Sequence, residues 1–159
     1  GSTPKASKTQ WDEESYESAI AAECGKDSAR RVMALFRRLR DHGVSVFYGT
    51  GTTYPSLNLW LGQDNNPGEP NPVAVSFYPT GVAVNLDFVR NKRSEGEMER
   101  LVGLIREIPG VSPYFKNLDQ APTKWGMRPT MDPKIVLAND YAVELFAGKL
   151  IEASQPPVG

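Results

Sequence analysis

A single cysteine, Cys24, and a single histidine, His42, stand in 159 residues. One cysteine cannot close an internal disulfide, and one of each excludes a thiolate or imidazole metal cluster. A reducing, cytoplasmic setting is the expectation. Charge of one sign is also lacking: 18 basic residues against 19 acidic ones leave a net charge of -1. Whole-molecule electrostatics then favour neither nucleic acid nor an acidic ligand, and any such preference has to be local. No apolar run approaches the roughly 18 residues of a spanning helix, and the polar N-terminus has no signal-peptide core, so no membrane partner is expected. There is no internal repeat and no long low-complexity segment.

Catalytic groups are sparse as well. Cys24 and His42 fall at helix ends separated by a whole helix, which disfavours a Cys–His pair, and they read as a packed thiol and a C-terminal helix cation. Asp87 could begin a metal-dependent nuclease site, but no Glu-x-Lys pair occurs in any expected strand. Asp64 and Glu69 fall in a loop and Asp132 precedes Pro133, so no glycosidase-like carboxylate pair can be argued. No catalytic residue and no cofactor is expected.

What is present is a globular composition, 40% hydrophobic and 23% charged, in a length suited to one core. The expected organisation is a single α+β domain over residues 11–153. Before it, 1–10 reads as a disordered tail or expression scar, and after it 154–159 as a proline-rich tail. Asp12 with Glu13 and Glu14 opens a helix to about Cys24. After Gly25, Val32, Leu35, Phe36 and Leu39 mark a second helix that stops at His42-Gly43. The period then changes from 3.6 to 2. Four strands are expected: Val44–Tyr48, Ser56–Leu61, Val73–Tyr78 and Val82–Phe88, forming a mainly antiparallel sheet with one apolar face against the helices. Gly62–Pro72 is a loop, and Pro79-Thr80-Gly81 a turn. Ser94 with Glu95 and Glu97 opens a third helix that breaks at Ile108-Pro109-Gly110. A crossover to about Pro133 holds four of the 13 prolines, Lys134–Leu137 suits a short strand, and Asn139 or Asp140 caps a final helix.

Two features carry functional expectations. The second helix bears Arg30, Arg31, Arg37, Arg38 and Arg40, a local basic face that Arg90, Lys92 and Arg93 could extend. Arginine forks suit phosphate oxygens; the competing reading pairs them with Glu13, Glu14, Glu17 and Glu23. The second face of the sheet presents Ser56, Asn58, Ser76, Asn85 and Asp87 among Phe47, Trp60 and Tyr78, a mixture suited to stacking on a flat ligand or base. Alternatively the crossover, with Tyr114, Phe115 and Trp125, folds over that face. Gly49-Thr50-Gly51 lacks the helix and the Gly-Lys-Ser/Thr of a phosphate loop and reads as a tight hairpin using positive φ.

The runs Trp11-Asp12-Glu13-Glu14-Ser15-Tyr16, Tyr48-Gly49-Thr50-Gly51 with Ser56, Ile108-Pro109-Gly110-Val111 and Pro133-Lys134-Ile135-Val136-Leu137 resemble a family of small bacterial α+β proteins of unknown activity. The resemblance covers about Trp11 to Ala153. It implies the fold and, through an association with restriction or genome defence, tilts the partner toward DNA. The expected function is therefore a non-enzymatic binding or accessory module that engages DNA or RNA through Arg30, Arg31, Arg37 and Arg38, with Phe47, Trp60 and Tyr78 as stacking surfaces. Two alternatives stay open: a pocket for a small polar or aromatic ligand at Ser56, Asn58, Asn85 and Asp87, and a protein-interaction domain.

Overall fold

A computed structural model describes residues 11–49, 55–61, 73–118 and 124–155. The expected tail 1–10, the Thr50-Gly51 turn and the Gly62–Pro72 loop lie outside the described residues, as does the tail beyond Gln155.

Helix α1 (Glu13–Cys24) starts where Asp12 accepts from the Ser15 N–H and Ser15 returns a bond to the Asp12 N–H. Such reciprocal caps stabilise a helix by about 1 kcal/mol. Gly25, at φ 96°, separates it from α2 (Lys26–Asp41). In α2 the stripe Val32, Leu35, Phe36 and Leu39 is buried, with Ala29 and Met33 beside it. Gly43, at φ 84°, turns the chain into the sheet.

The sheet is one antiparallel meander, β1 (Ser45–Tyr48), β2 (Leu57–Trp60), β3 (Val75–Tyr78), β4 (Gly81–Val84) and β5 (Thr130–Met131), in that spatial order. It has five strands where the pattern suggested four; β5 comes from the proline-rich crossover. Strand β4 ends at Val84, and Leu86–Val89 forms a helical turn, α3. Alternation there misled because Leu86 and Val89, three apart, also share one face of a turn. Lys134–Leu137 likewise is not a strand: Pro133 at the first position and Asp132, accepting from Lys134 N–H, start the helical turn α5 (Pro133–Val136).

Helix α4 (Glu95–Arg106) carries a capping box between Ser94 and Glu97. A 3₁₀ turn follows at Ser112–Phe115, and α6 (Asp140–Ser154) is capped by Asn139 on Ala142 N–H. Helix α6 packs on α2 and α4. The apolar sheet face meets these helices through one continuous core. A chain of edge-to-face rings runs through it, Tyr16–Phe36 at 6.1 Å, Phe36–Phe77 at 5.1 Å and Phe77–Phe146 at 5.7 Å, linking α1, α2, β3 and α6. Phe115 and Trp125 of the crossover belong to this core, on the helical side of the sheet.

The register has one irregularity. Val75 is the β3 partner of Leu59, yet the Ala74 N–H also bonds the Leu59 carbonyl at 2.8 Å. Two residues thus oppose one, a β-bulge, and both Ala74 and Val75 turn into the core.

Candidate functional site

Residues at the intervening strand positions face away from the helices. One rung of this second face runs Phe47–Asn58–Ser76–Ala83–Thr130 across all five strands. Around it lie Ser56, Trp60 and Asn85. Ser56, Asn58, Ser76 and Asn85 are buried, although nothing in their chemistry drives them out of water. They are held by hydrogen bonds to one another.

The bonds form a directed ladder. The Asn85 side-chain N–H₂ donates to the Val73 carbonyl at 3.0 Å and to Ser76 Oγ at 3.1 Å. Ser76 Oγ–H donates to Asn58 Oδ1 at 2.9 Å, and Asn58 Nδ2 donates to Ser56 Oγ at 3.3 Å. A carbonyl can only accept, so the Val73 contact fixes the orientation of the Asn85 amide. Every bond between side chains then points from Asn85 toward Ser56. The ladder leaves Asn85 Oδ1 buried with no hydrogen-bond partner, and Trp60 Nε1, a donor, is in the same position. Both residues are 2% exposed. Each lies one residue beyond the Leu59–Val75–Val84 rung. Because the bulge turns Ala74 into the core, β3 sets no side chain of its own between them on this face.

Gly49 closes the Ser56 end. Its N–H donates to the Ser56 carbonyl at 2.9 Å, and a Cβ there would stand 2.1 Å from Ser56 Oγ. Its φ is not positive. Close approach to the ladder, rather than the left-handed backbone expected from the sequence, is what requires glycine at this position.

The stacking surfaces are placed differently from the expectation. Trp60 is buried, with the Arg93 guanidinium 4.7 Å from its ring centroid. Only Phe47 remains exposed; Tyr78 is half-buried. Asp87 leaves the site altogether because the strand stops before it: it lies on α3, where both its oxygens accept from Arg128, whose guanidinium also covers Phe88.

The basic residues divide into two groups. Arg93, 14% exposed, donates to the carbonyls of Leu61 and Lys92 and lies 3.6 Å from Glu97, so it serves the packing of Trp60. Arg90 is exposed and Lys92 half-buried on the α3–α4 connection. On α2, every arginine of the proposed phosphate face has a carboxylate. Arg37 pairs with Glu13 at 3.1 Å, Arg31 with Asp140 at 3.2 Å, Arg30 with Asp140 at 3.7 Å and Arg38 with Glu144 at 3.8 Å. The partners come mostly from α6, which sequence spacing could not bring next to α2. Arg37, Arg30 and Arg38 nevertheless stay 61%, 59% and 46% exposed.

Elsewhere, Cys24 and His42 do not meet. The thiol donates to the Pro79 carbonyl at 3.0 Å, and burial pushes its pKa up, which makes it a poor nucleophile. His42 Nδ1 lies 2.8 Å from the Arg38 carbonyl at the C-terminal end of α2. Among the described residues no three His, Cys, Asp or Glu side chains converge to hold a metal ion, and no helix is long and apolar enough to cross a membrane. Comparison with protein-family models, with curated proteins and with solved structures returns no match to this chain.

Proposed function

We propose that this α+β domain is a binding module whose polar sheet face receives a small polar ligand. The observation that carries this reading is the pair of buried, unpartnered groups at the head of the ladder, Asn85 Oδ1 and Trp60 Nε1. Leaving such a group unpaired costs about 1–3 kcal/mol, and two on one face, beside a bulge that withdraws the intervening side chain, are what a site awaiting a ligand presents. Ser56, Asn58, Trp60, Ser76 and Asn85 include no acid or base that titrates near neutral pH, which supports binding rather than proton-transfer chemistry.

Nucleic-acid association through α2 is the second reading, supported by the exposure of Arg30, Arg37 and Arg38. A phosphate there has to compete with Glu13, Asp140 and Glu144, and those ion pairs, being exposed, are weak.

Two titrations separate the readings. Indole N–H signals, with Trp60 assigned through Trp60→Phe, are followed by NMR during addition of small polar compounds. A saturable shift of the Trp60 signal that persists in 0.2 M salt supports the sheet face, and silence across the set refutes it. Labelled DNA and RNA are titrated by fluorescence anisotropy at low and high salt; binding that weakens with salt and is lost in Arg37→Ala/Arg38→Ala supports the α2 face.

A further inference from the structure

The chemistry of the unpartnered pair narrows the ligand. We infer that the polar sheet face is built for a neutral, planar molecule carrying a carboxamide or lactam edge, a class that includes free nucleobases and aromatic carboxamides; this rests on the sheet-face reading above.

Complementarity comes first. Asn85 Oδ1 can only accept and Trp60 Nε1 can only donate. A single occupant that satisfies both must offer one donor and one acceptor. A carboxylate or phosphate offers acceptors alone and an ammonium donors alone, whereas an amide edge offers both. The two backbones that hold these groups flank β3 and stand two strand spacings apart, roughly 10 Å, a separation that one small molecule can bridge.

Charge is the second constraint. The face is made by Ser56, Asn58, Trp60, Ser76 and Asn85, none of which is charged. The cation described beside it, Arg93 on the Trp60 ring, is already bonded to two carbonyls and faces Glu97. Among the described residues, an anion brought here is desolvated without a counterion free to meet it, and a cation meets no carboxylate on this face. Shape is the third constraint. Phe47, directly opposite Asn58 in the register and exposed, provides an apolar ring at the rim against which a flat ligand can lie.

The experiment uses paired probes. Nicotinamide is titrated against nicotinate, in which a carboxylate replaces the carboxamide, and uracil against orotate, which adds a carboxylate to the same ring, with glucose as a neutral non-planar control; the readout is the Trp60 indole N–H shift. The expected result is saturable binding of at least one neutral heterocycle, with its carboxylate counterpart weaker by about tenfold or more. Trp60→Phe, which keeps an aromatic ring beneath Arg93 but removes the N–H donor together with part of the indole's bulk, is expected to weaken that binding about tenfold, read by calorimetry. Equal or tighter binding of the carboxylates, a response to glucose alone, or undiminished affinity in Trp60→Phe overturns the ligand class while leaving the sheet face as a binding site. No response to any probe overturns the class and the reading beneath it together.

Discussion

Ser76 is the middle of the polar ladder, and Ser76→Ala tests whether that ladder is a structural unit. The residue is 4% exposed, donates to Asn58 Oδ1 and accepts from Asn85 Nδ2. Removing its hydroxyl leaves the buried Asn58 oxygen without its donor, which costs about 1–3 kcal/mol. The Asn85 amide keeps its bond to Val73 and loses the other, about 0.5–1.5 kcal/mol more. The sum is about 1.5–4.5 kcal/mol, against less than about 0.5 kcal/mol for the same change on a solvated strand. Urea unfolding is the assay, with the slope expected to stay constant so that the midpoint shift reports stability. Because the loss comes from an orphaned partner, Asn58→Ala combined with Ser76→Ala is expected to cost less than the two single losses added, with a coupling of about 1–2 kcal/mol. A single-variant loss below about 0.5 kcal/mol, or strict additivity in the double variant, refutes the ladder as described.

Glycine replacements are expected to split by position: Gly49→Ala, whose Cβ meets Ser56 Oγ, lowers stability by about 1–3 kcal/mol, whereas Gly103→Ala, exposed within α4 with open space around it, raises it by about 0.5–1 kcal/mol; thermal melts of both variants check the pair. Alkaline pH is expected to destabilise the fold through Tyr16, whose phenol is pushed well up by burial. The folded state holds that proton after the unfolded chain releases it near pH 10, so stability is intact below about pH 10 and falls above it, and Tyr16→Phe should flatten that limb of the urea-unfolding profile. Cys24, with its thiol raised by burial and bonded to Pro79, is expected to react with iodoacetamide more slowly than an unfolded cysteine at pH 8, with urea restoring the ordinary rate.

Much of the architecture was legible because local signals agreed with one another. Asp12 and Ser94 cap the helices they mark, the Val32–Leu39 stripe is buried, and Gly43 ends α2 in the left-handed conformation. Errors came where a pattern was too short to distinguish two periods. Leu86 to Phe88 suits a strand or a turn of helix, and Pro133-Lys134-Ile135-Val136 is decided by an N1 proline and an aspartate cap more than by its β-branched pair. Two-residue β5, next to Pro129, carries no periodicity of its own. On the site side, i, i+2 spacing exposed Ser56, Asn58 and Ser76 as a polar face. It could not show the bulge at Ala74, the direction of the ladder or the burial of Trp60, since all three depend on which strand lies alongside. The carboxylates on the α2 arginines were hidden for the same reason: Asp140 and Glu144 are about a hundred positions away from their partners in the chain.

That distance has a consequence for how the protein is made. The ring chain from Tyr16 to Phe146 and the ion pairs from Arg31 and Arg38 are completed only by α6, so the side of α2 that α6 covers, unlike the side against Phe77 of β3, stays open until residues near Leu150 have been made. Docking α6 on α2 therefore closes contacts of high sequence separation, the kind of pairing that topology makes slow to form.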